Sequence, residues 1–244
     1  MVSKNQKKLI KSLYQKKYRK QHKMFVAEGK KVINELLEAD FKLYSLFTMD
    51  TSLFVTPDAI TFKITEDELK NISFLTTAQV ALAIFYIPEN ESIEADGLTL
   101  ILDDVRDPGN LGTIIRLCDW FGIQNLVCSE QTVDCYNPKV VQATMGSITR
   151  VRIEYTDLIN FLSLKSVETP VYGTFMNGNN IHKEELPKKA VIVMGNEANG
   201  ISTAVKNLIT QTITIPQFGE SAEAESLNVA TATAIVLNEF KRMS

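Results

Sequence analysis

Three polar segments carry most of the residue types that could do chemistry, and each follows an apolar run. The first, Leu102–Arg116, places Asn110 and Arg116 after a Pro-Gly turn. The second, Gly195–Gly200, holds a carboxylate and two amides, and the third, Glu225–Asn228, joins a carboxylate, a hydroxyl and an amide. An arginine aimed into a cleft suits a phosphate or a developing negative charge, and amides and carboxylates suit a polar substrate.

Each segment also has a purely structural interpretation, which the spacing leaves open. Arg116 lies off the apolar stripe of its predicted helix, so it either faces a cleft or is solvated on the back of the helix. Gly195 permits a close backbone approach, but an ordinary strand-to-helix turn uses the same residue types. Asn110 and Ser226 both suit helix N-caps.

Regular alternation of strands and helices surrounds these segments. Apolar runs predict strands at Leu98–Leu102, Asn125–Cys128, Val151–Ile153, Val171–Phe175, Ala190–Met194 and Thr212–Ile215. Helical spacing predicts helices at Leu111–Phe121, Pro138–Met145, Leu158–Leu164, Ser202–Leu208 and Leu227–Lys241. This alternation implies a parallel sheet with helices on both faces, whose ligands bind beyond the carboxyl ends of the strands.

Residues 1–90 predict a separate small α/β domain. One helix is expected over residues 3–20 and a second through about Ala39, followed by short apolar runs that include a strand at Ile84–Ile87. A capping-box pattern at Thr65 predicts a further helix start. The polar, acidic stretch that follows this domain is the best linker, so the second domain is predicted at residues 98–244.

The charge of the 244-residue chain is unevenly distributed. Residues 1–31 hold eleven of the 26 Lys and Arg residues and one acid, Glu28, so this segment carries +10 although the whole chain carries -3. Such a segment attracts a polyanion through counterion release. The candidate RNA contacts are Lys7, Lys8, Lys11, Lys16, Lys17, Arg19, Lys20 and Lys23. The interleaved rings are Tyr14, Tyr18, His22 and Phe25. These rings suit stacking on unpaired bases, although an amphipathic helix with a solvated face gives the same pattern.

Several classes of protein are poor fits. The sequence has no apolar run long enough to span a bilayer and no secretory signal, so we expect a cytoplasmic protein. Cys118, Cys128 and Cys135 fit neither a CxxC pair nor a zinc ligand set, so we expect no metal. The absence of GxGxxG and GxxxxGK[ST] argues against a dehydrogenase, a P-loop NTPase and the common Rossmann-type methyltransferase.

Taken together, the three segments resemble the three motifs of the SpoU/TrmH family of SPOUT RNA ribose methyltransferases. Asp107–Arg116 (DPGNLGTIIR) resembles motif 1, and Met194–Gly200 (MGNEANG) resembles motif 2. Ile215-Pro216 followed by Ser226–Ala230 (SLNVA) resembles motif 3. Phe25–Leu37 (FVAEGKKVINELL) is similar to the start of the substrate-binding domain of that family.

The resemblance implies properties that the residue pattern does not show. The α/β catalytic domain would be a parallel-sheet SPOUT domain with a trefoil knot near its C-terminus, and the knot loops would hold S-adenosylmethionine in a bent shape. The protein would act as a homodimer and transfer a methyl group to a ribose 2′-hydroxyl of tRNA or rRNA, without a metal. Between Gly219 and Glu225 the loop is longer and more acidic than in the family, which bears on cofactor geometry and substrate choice.

The resemblance also assigns roles to residues. Arg116 would contact the target hydroxyl and a nearby phosphate. The groups that shape the site around it would be Asn110, Glu197, Ser226 and Asn228. The cofactor would be held at Gly173, Thr174, Gly195, Asn196, Ile215 and Leu227.

Two other functions remain open from the sequence. An RNA-binding or ribosome-assembly protein with a vestigial knotted domain explains the basic N-terminus equally well, but binding alone does not need Arg116, Glu197, Ser226 and Asn228 together. A small-molecule α/β enzyme leaves the +10 segment unexplained.

Overall fold

The computed structural model describes residues 1–89, 97–165, 169–219 and 226–242. The chain forms two compact units, Met1–Asn90 with Asp134–Thr149 and Glu91–Val133 with Arg150–Ser244. Most of the predicted linker lies outside the described residues. The segment Asp134–Thr149 belongs to the first unit although the sequence places it inside the second predicted domain, so the chain passes between the units three times.

The helices and strands alternate through both units. The helices are α1 (Lys4–Ser12), α2 (Lys16–His22), α3 (Lys30–Glu38), α4 (Glu66–Ile72), α5 (Pro108–Trp120), α6 (Pro138–Thr144), α7 (Leu158–Lys165), α8 (Thr203–Lys206) and α9 (Val229–Arg242). The strands are β1 (Met24–Glu28), β2 (Leu43–Thr48), β3 (Thr61–Lys63), β4 (Ala81–Tyr86), β5 (Leu98–Leu102), β6 (Asn125–Ser129), β7 (Arg152–Thr156), β8 (Val171–Asn180), β9 (Ala190–Met194) and β10 (Gln211–Thr214).

The first unit is built on a four-stranded mixed sheet in the order β1-β4-β2-β3. Strand β4 runs antiparallel to β1 and β2, whereas β2 and β3 are parallel. The predicted capping box is confirmed, because the Thr65 hydroxyl accepts from the Glu68 amide and the Glu68 carboxylate accepts from the Thr65 amide. The α/β character predicted for this part of the chain is therefore confirmed.

Two details of the N-terminal prediction are wrong. The single helix expected over residues 3–20 is two helices, α1 and α2, separated by an irregular stretch at residues 13–15. The stretch contains no proline or glycine, and the Arg19 guanidinium donates to the carbonyls of Leu13 and Tyr14 within it. Strand β1 was not predicted, because its apolar run is short and leads directly into the helical pattern of α3.

Phe25 of strand β1 is central to the core of the first unit. Its side chain is fully buried, and its ring contacts those of Phe41, Phe85 and Tyr136 at centroid distances of 6.2, 5.8 and 4.7 Å. Phe25 is therefore a core residue. The sequence pattern suggested that its ring stacks on RNA bases, and this interpretation is wrong. Tyr136 belongs to the segment Asp134–Thr149, which explains in part why that segment groups with this unit.

The second unit contains a six-stranded sheet in the order β10-β8-β9-β5-β6-β7, and every described strand pair in it is parallel. The predicted parallel sheet is thus confirmed. Strands β5 and β9 have the predicted bounds, whereas β8 continues to Asn180 rather than ending at Phe175. The extension arises because residues 174–178 loop out between two paired stretches, with Thr212 opposite Gly173 and Ile213 opposite Asn179.

Helix caps also differ from those expected. Helix α5 is capped by Asp107, whose carboxylate accepts from the Asn110 amide at 2.8 Å, so Asn110 is not the cap. Helix α9 begins at Val229, because the Asn228 side chain, and not Ser226, accepts from the amides of the first turn. Neither Asn110 nor Ser226 is therefore the helix N-cap that its sequence context suggests.

No helix in the described ranges combines the length and hydropathy that a membrane span requires. The three cysteines are buried thiols. Among the same residues, no group of three or more His, Cys, Asp or Glu side chains is arranged to hold a metal ion.

The substitution Phe25→Ala should lower the free energy of unfolding by about 3–5 kcal/mol, because it removes a fully buried ring and leaves a cavity. Urea denaturation followed by circular dichroism measures this change. Tyr44→Ala is the matched control: its ring contacts Tyr86 but is 37% exposed, so we expect a loss of under about 1.5 kcal/mol. Equal losses in the two variants would contradict the central position of Phe25.

Candidate active site

The three polar loops lie at the carboxyl edge of the parallel sheet. Strands β5 and β9 are neighbours in register from Leu98 with Ala190 to Leu102 with Met194, so the loops that follow them emerge side by side. Strand β10, which leads to Ile215, ends at the same edge because the sheet is parallel throughout its described pairs.

Asn110 joins the three loops through its side-chain amide. Its Nδ2 donates to Oε1 of Glu197 at 2.7 Å, and its Oδ1 accepts from Nδ2 of Asn228 at 2.9 Å. The Oδ1 of Asn228 in turn accepts from the amides of Ala230 and Thr231 at 3.0 and 3.2 Å, which fixes the orientation of that amide. The chain of bonds runs in one direction from the start of α9 to the carboxylate, and the amide suits its middle position because its nitrogen donates while its oxygen accepts.

A second set of bonds fastens the first loop to the second. Nδ2 of Asn196 donates to the carbonyl of Asp104 at 2.7 Å, and its Oδ1 accepts from the amides of residues 198 and 199. The Asp103 carboxylate accepts from the Ser202 amide at 2.7 Å, and the Asp103 amide donates to the carbonyl of Met194. Because these bonds use the Asn196 side chain, its contribution to the site is to hold the loop.

Two glycines allow backbone to lie directly against backbone at this edge. A Cβ on Gly195 would lie 2.3 Å from the carbonyl carbon of Gly200, and a Cβ on Gly178 would lie 2.5 Å from the carbonyl carbon of Ile213. No side chain fits at either position without displacing the loop. At Gly173 the nearest atom is the end of the Ile209 side chain, at 2.3 Å, so this glycine serves packing.

Arg116 lies on the exposed side of α5, six residues after Asn110 and about 9 Å along the helix axis. Among the described residues it has no hydrogen-bond or ion-pair partner, so its guanidinium is available to a ligand. Arg106, by contrast, forms a two-pronged pair with the Asp104 carboxylate, both bonds at 2.8 Å. Among the described residues, no hydrogen bond or ion pair joins Arg116 to the Asn110 bridge.

The remaining predicted site residues occupy the rim of the same edge. Thr174 donates from its hydroxyl to the carbonyl of Val193 at 3.3 Å. Ile215 is partly buried, Leu227 is 51% exposed and Ser226 is exposed. The structure therefore brings Asn110, Glu197 and Asn228 into direct contact, and leaves Arg116 and Ser226 exposed beside helices α5 and α9.

The predicted cationic surface of the first unit is present with one exception. The exposed cations of the first two helices and their flank are Lys4, Lys7, Lys8, Lys11, Lys16, Lys17, Lys20 and Lys23. Arg19 is only 2% exposed and its guanidinium binds Asp134 and two backbone carbonyls. Arg19 therefore does not face an external ligand, contrary to the sequence-based expectation.

Several residues that build the site were missed in the sequence. Gly178 had a usable signal, since an Asn-Gly pair within an apparent strand marks a turn. Asp103 and Asp104 had no signal in the sequence for the bonds they make, because those bonds go to residues about a hundred positions later in the chain. Asp104 also adopts a positive φ of 62°, a conformation that non-glycine residues rarely take.

The second unit is thus a parallel sheet with three polar loops joined at its carboxyl edge, and the first is a mixed-sheet unit with exposed lysines. A model of the SpoU rRNA methylase family matches residues 97–238, and a model of the MRM3-like substrate-binding domain matches residues 4–83. The chain belongs to the SpoU rRNA methylase family, and the resemblance inferred from the three motifs is confirmed.

Individual relatives agree over nearly the whole chain. The sequence is 30% identical over 247 residues to the 23S rRNA (guanosine(2553)-2′-O)-methyltransferase RlmP of Bacillus subtilis (strain 168), covering 98% of this chain and 97% of that protein. The fold matches a protein assigned to the TrmH family of RNA methyltransferases from Porphyromonas gingivalis, with 38% identity, a TM-score of 0.91 and all of both chains covered. It also matches an AdoMet-bound rRNA methyltransferase from Sinorhizobium meliloti, with 30% identity, a TM-score of 0.86 and 99% and 97% of the two chains covered.

Replacing Asn110 by Asp should destabilise the protein in a pH-dependent way. The new carboxylate would face that of Glu197 across the present 2.7 Å bond, so the pair would keep one proton and its pKa would be raised. Because the pKa of the carboxyl pair is raised, the hydrogen bond between the two carboxyl groups forms at low pH. It is lost as pH rises through the raised pKa. We expect a loss of about 1 kcal/mol at neutral pH that shrinks on acidification.

Chemical denaturation at several pH values measures this effect. Asn110→Ala is the control, since it removes the bond without adding a titrating group, and its loss of stability should not vary with pH in the same way. A pH-independent loss in the Asp variant would contradict the bridging role of Asn110.

Proposed function

We propose that this protein transfers a methyl group from S-adenosylmethionine to a ribose 2′-hydroxyl of ribosomal RNA. The observation that carries the proposal is the Asn110 bridge, which unites all three motif loops at one edge of the sheet. The names of the relatives support it, since RlmP of B. subtilis methylates a guanosine 2′-hydroxyl of 23S rRNA and the S. meliloti protein binds AdoMet. We place the reaction in the cytoplasm, as for the bacterial relatives.

The residues at the edge fit a cofactor of this kind. The loops offer backbone groups at Gly195 and Leu227 and apolar side chains such as Ile215, which suit an adenosyl moiety. The side-chain groups that shape the edge are carboxylates and amides, which suit a cationic methyl donor rather than a phosphate-bearing nucleotide. The close approaches at Gly195 and Gly178 would let the loops wrap around a small ligand without intervening side chains.

The cofactor supplies a methyl group on a positively charged sulfur, so the donor is already activated. What the protein must do is position the ribose in line with that methyl group and manage one proton. Asn110, Glu197 and Asn228 form the fixed polar wall of the site, and Ser226 adds a hydroxyl at its rim.

Arg116 has the role of stabilising charge on the ribose oxygen as the hydroxyl proton passes to solvent water. A guanidinium stays protonated at ordinary pH, so it is a poor base but a strong donor to a developing alkoxide and to a neighbouring phosphate. The exposed position of Arg116 and its lack of a partner in the described part of the chain agree with this role.

Assembly and substrate delivery complete the proposal. We propose a homodimer and a trefoil knot on the strength of the family resemblance, with the lysines of α1 and α2 binding the phosphates of the substrate. Ribosomal RNA is the substrate that the named relatives indicate, and tRNA is the alternative that the test must separate.

The decisive experiment is labelled-methyl transfer from S-adenosylmethionine to separated 23S rRNA, 16S rRNA and tRNA, followed by mapping of the modified nucleotide. Label on a ribose of rRNA is the expected result. Label on tRNA alone would overturn the substrate, and S-adenosylmethionine binding without transfer to any RNA would favour a vestigial knotted domain.

Arg116→Ala should lower the methyl-transfer rate by about 10²–10³-fold, the cost of removing one charged donor to a developing oxyanion. The dissociation constant for S-adenosylmethionine, measured by calorimetry, should change little because Arg116 lies along α5 and away from the cofactor loops. Arg152→Ala, an exposed arginine at the start of edge strand β7, is the matched control and should keep the native rate. Near-native turnover of the Arg116 variant would remove this residue from the mechanism.

A further inference from the structure

The first unit contains a buried arginine with no catalytic neighbour. Arg19 is 2% exposed and uses all three guanidinium nitrogens. Nε donates to Oδ2 of Asp134 at 2.9 Å and Nη2 donates to the same oxygen, while Nη1 donates to the carbonyls of Leu13 and Tyr14 at 2.9 and 2.8 Å. A buried charge with this many directed bonds holds its neighbours in a single geometry.

The two carbonyls that Arg19 binds directly follow α1, since Leu13 is the C-cap of that helix and Tyr14 is the next residue. The last carbonyls of a helix have no partner within the helix, and a cation there also interacts favourably with the helix dipole. Arg19 itself lies within α2, so one side chain closes the end of the first helix and sets the direction of the second. This accounts for the break at residues 13–15, where the local sequence contains no helix breaker.

Asp134, the acidic partner, is itself fixed. Its Oδ1 accepts from the Tyr136 amide at 3.1 Å, and its carbonyl accepts from the Asn137 amide at 2.9 Å. The ring of Tyr136 packs on that of Phe25 at a centroid distance of 4.7 Å. Helix α2 is therefore tied through Arg19 to a segment that is anchored in the core of the same unit.

The helices that Arg19 connects carry the exposed lysines of the N-terminus. The buried side of α1 contributes Ile10 to the core, as does Leu13 directly after it, so its lysines face outward. The only acid in residues 1–31 is Glu28. Its side chain is 4% exposed and accepts hydrogen bonds from Ser73 and Phe74. The outward positive charge of α1 and α2 thus has no acid within residues 1–31 to neutralise it at the surface.

We propose that Arg19 is a positioning residue that holds α1 and α2 as one rigid cationic surface matched to the phosphates of an RNA strand. The inference rests on the proposed function, since it takes RNA as the ligand of this surface. A buried ion pair often stabilises a protein no more than apolar residues of the same size would, so its contribution here is to fix one arrangement of the lysines. Losing it should release several phosphate contacts at once, although Arg19 touches no phosphate itself.

The salt dependence of RNA binding measures this effect. The probe is a fluorescein-labelled oligouridylate, with 23S rRNA as competitor, and binding is followed by fluorescence anisotropy over a range of KCl concentrations. For a single strand, each phosphate contact contributes about 0.7 to the slope of log K against log salt. Lys20→Met, an exposed neighbour on α2, is the matched control and should lower the slope by about 0.7.

Arg19→Met should lower the slope by about 1.4 or more, the value for at least two contacts, with a correspondingly larger loss of affinity than Lys20→Met shows. Asp134→Asn should change the slope in the same direction, because it keeps an acceptor but removes the charge that holds the guanidinium. Arg19→Lys should recover part of the loss, since an ammonium can pair with Asp134 but cannot also reach both carbonyls.

Circular dichroism identifies the variants that remain folded at the assay temperature, and if Arg19→Met does not fold, Asp134→Asn decides the question. If Arg19 has a purely structural role, its variants have a lower melting temperature but the native slope of log K against log salt. That result would overturn the inference. A slope change no larger than that of Lys20→Met would overturn it as well. If the native chain itself binds neither RNA while binding S-adenosylmethionine, the proposed function fails instead.

Discussion

The parallel direction of the central strands is the constraint on which the site depends. Because β5, β9 and β10 all end at one edge, three loops whose residues are up to 118 positions apart in sequence emerge together. Asn110 then converts proximity into a fixed arrangement, since its amide donates to Glu197 and accepts from Asn228 at the same time. A single amide group can do this because its nitrogen donates and its oxygen accepts, each in a fixed direction.

The two units use charge in opposite ways. At the carboxyl edge of the sheet, acidic and amide groups hold loops together, and in the described part of the chain the guanidinium of Arg116 has no partner. In the first unit the lysines remain outside, and the one arginine among them, Arg19, is withdrawn into the interior and paired with Asp134. The division follows the chemistry of the side chains, because a planar guanidinium can bind a carboxylate and carbonyls together, whereas an ammonium is more strongly hydrated.

The pattern of apolar and polar residues predicted much of the architecture. Strands β5 and β9 were predicted with their observed bounds because their apolar runs end at polar, glycine-rich turns. The three motifs identified the family because they combine unusual residue types in a fixed order. The break between α1 and α2 was not predicted, because residues 13–15 include no proline or glycine and the acidic partner of Arg19, Asp134, lies 115 positions away.

By itself, the sequence determined the α/β class, the basic N-terminus and the residues of the three loops, because periodicity and residue type are local properties of the chain. Only the tertiary structure decided how those residues are used. It showed that Asp107 and Asn228 cap their helices, that Asn110 is free to bridge two loops, and that Arg19 and Phe25 are buried. The physical reason is that each hydrogen-bond donor and acceptor has several partners available in sequence, and packing selects one.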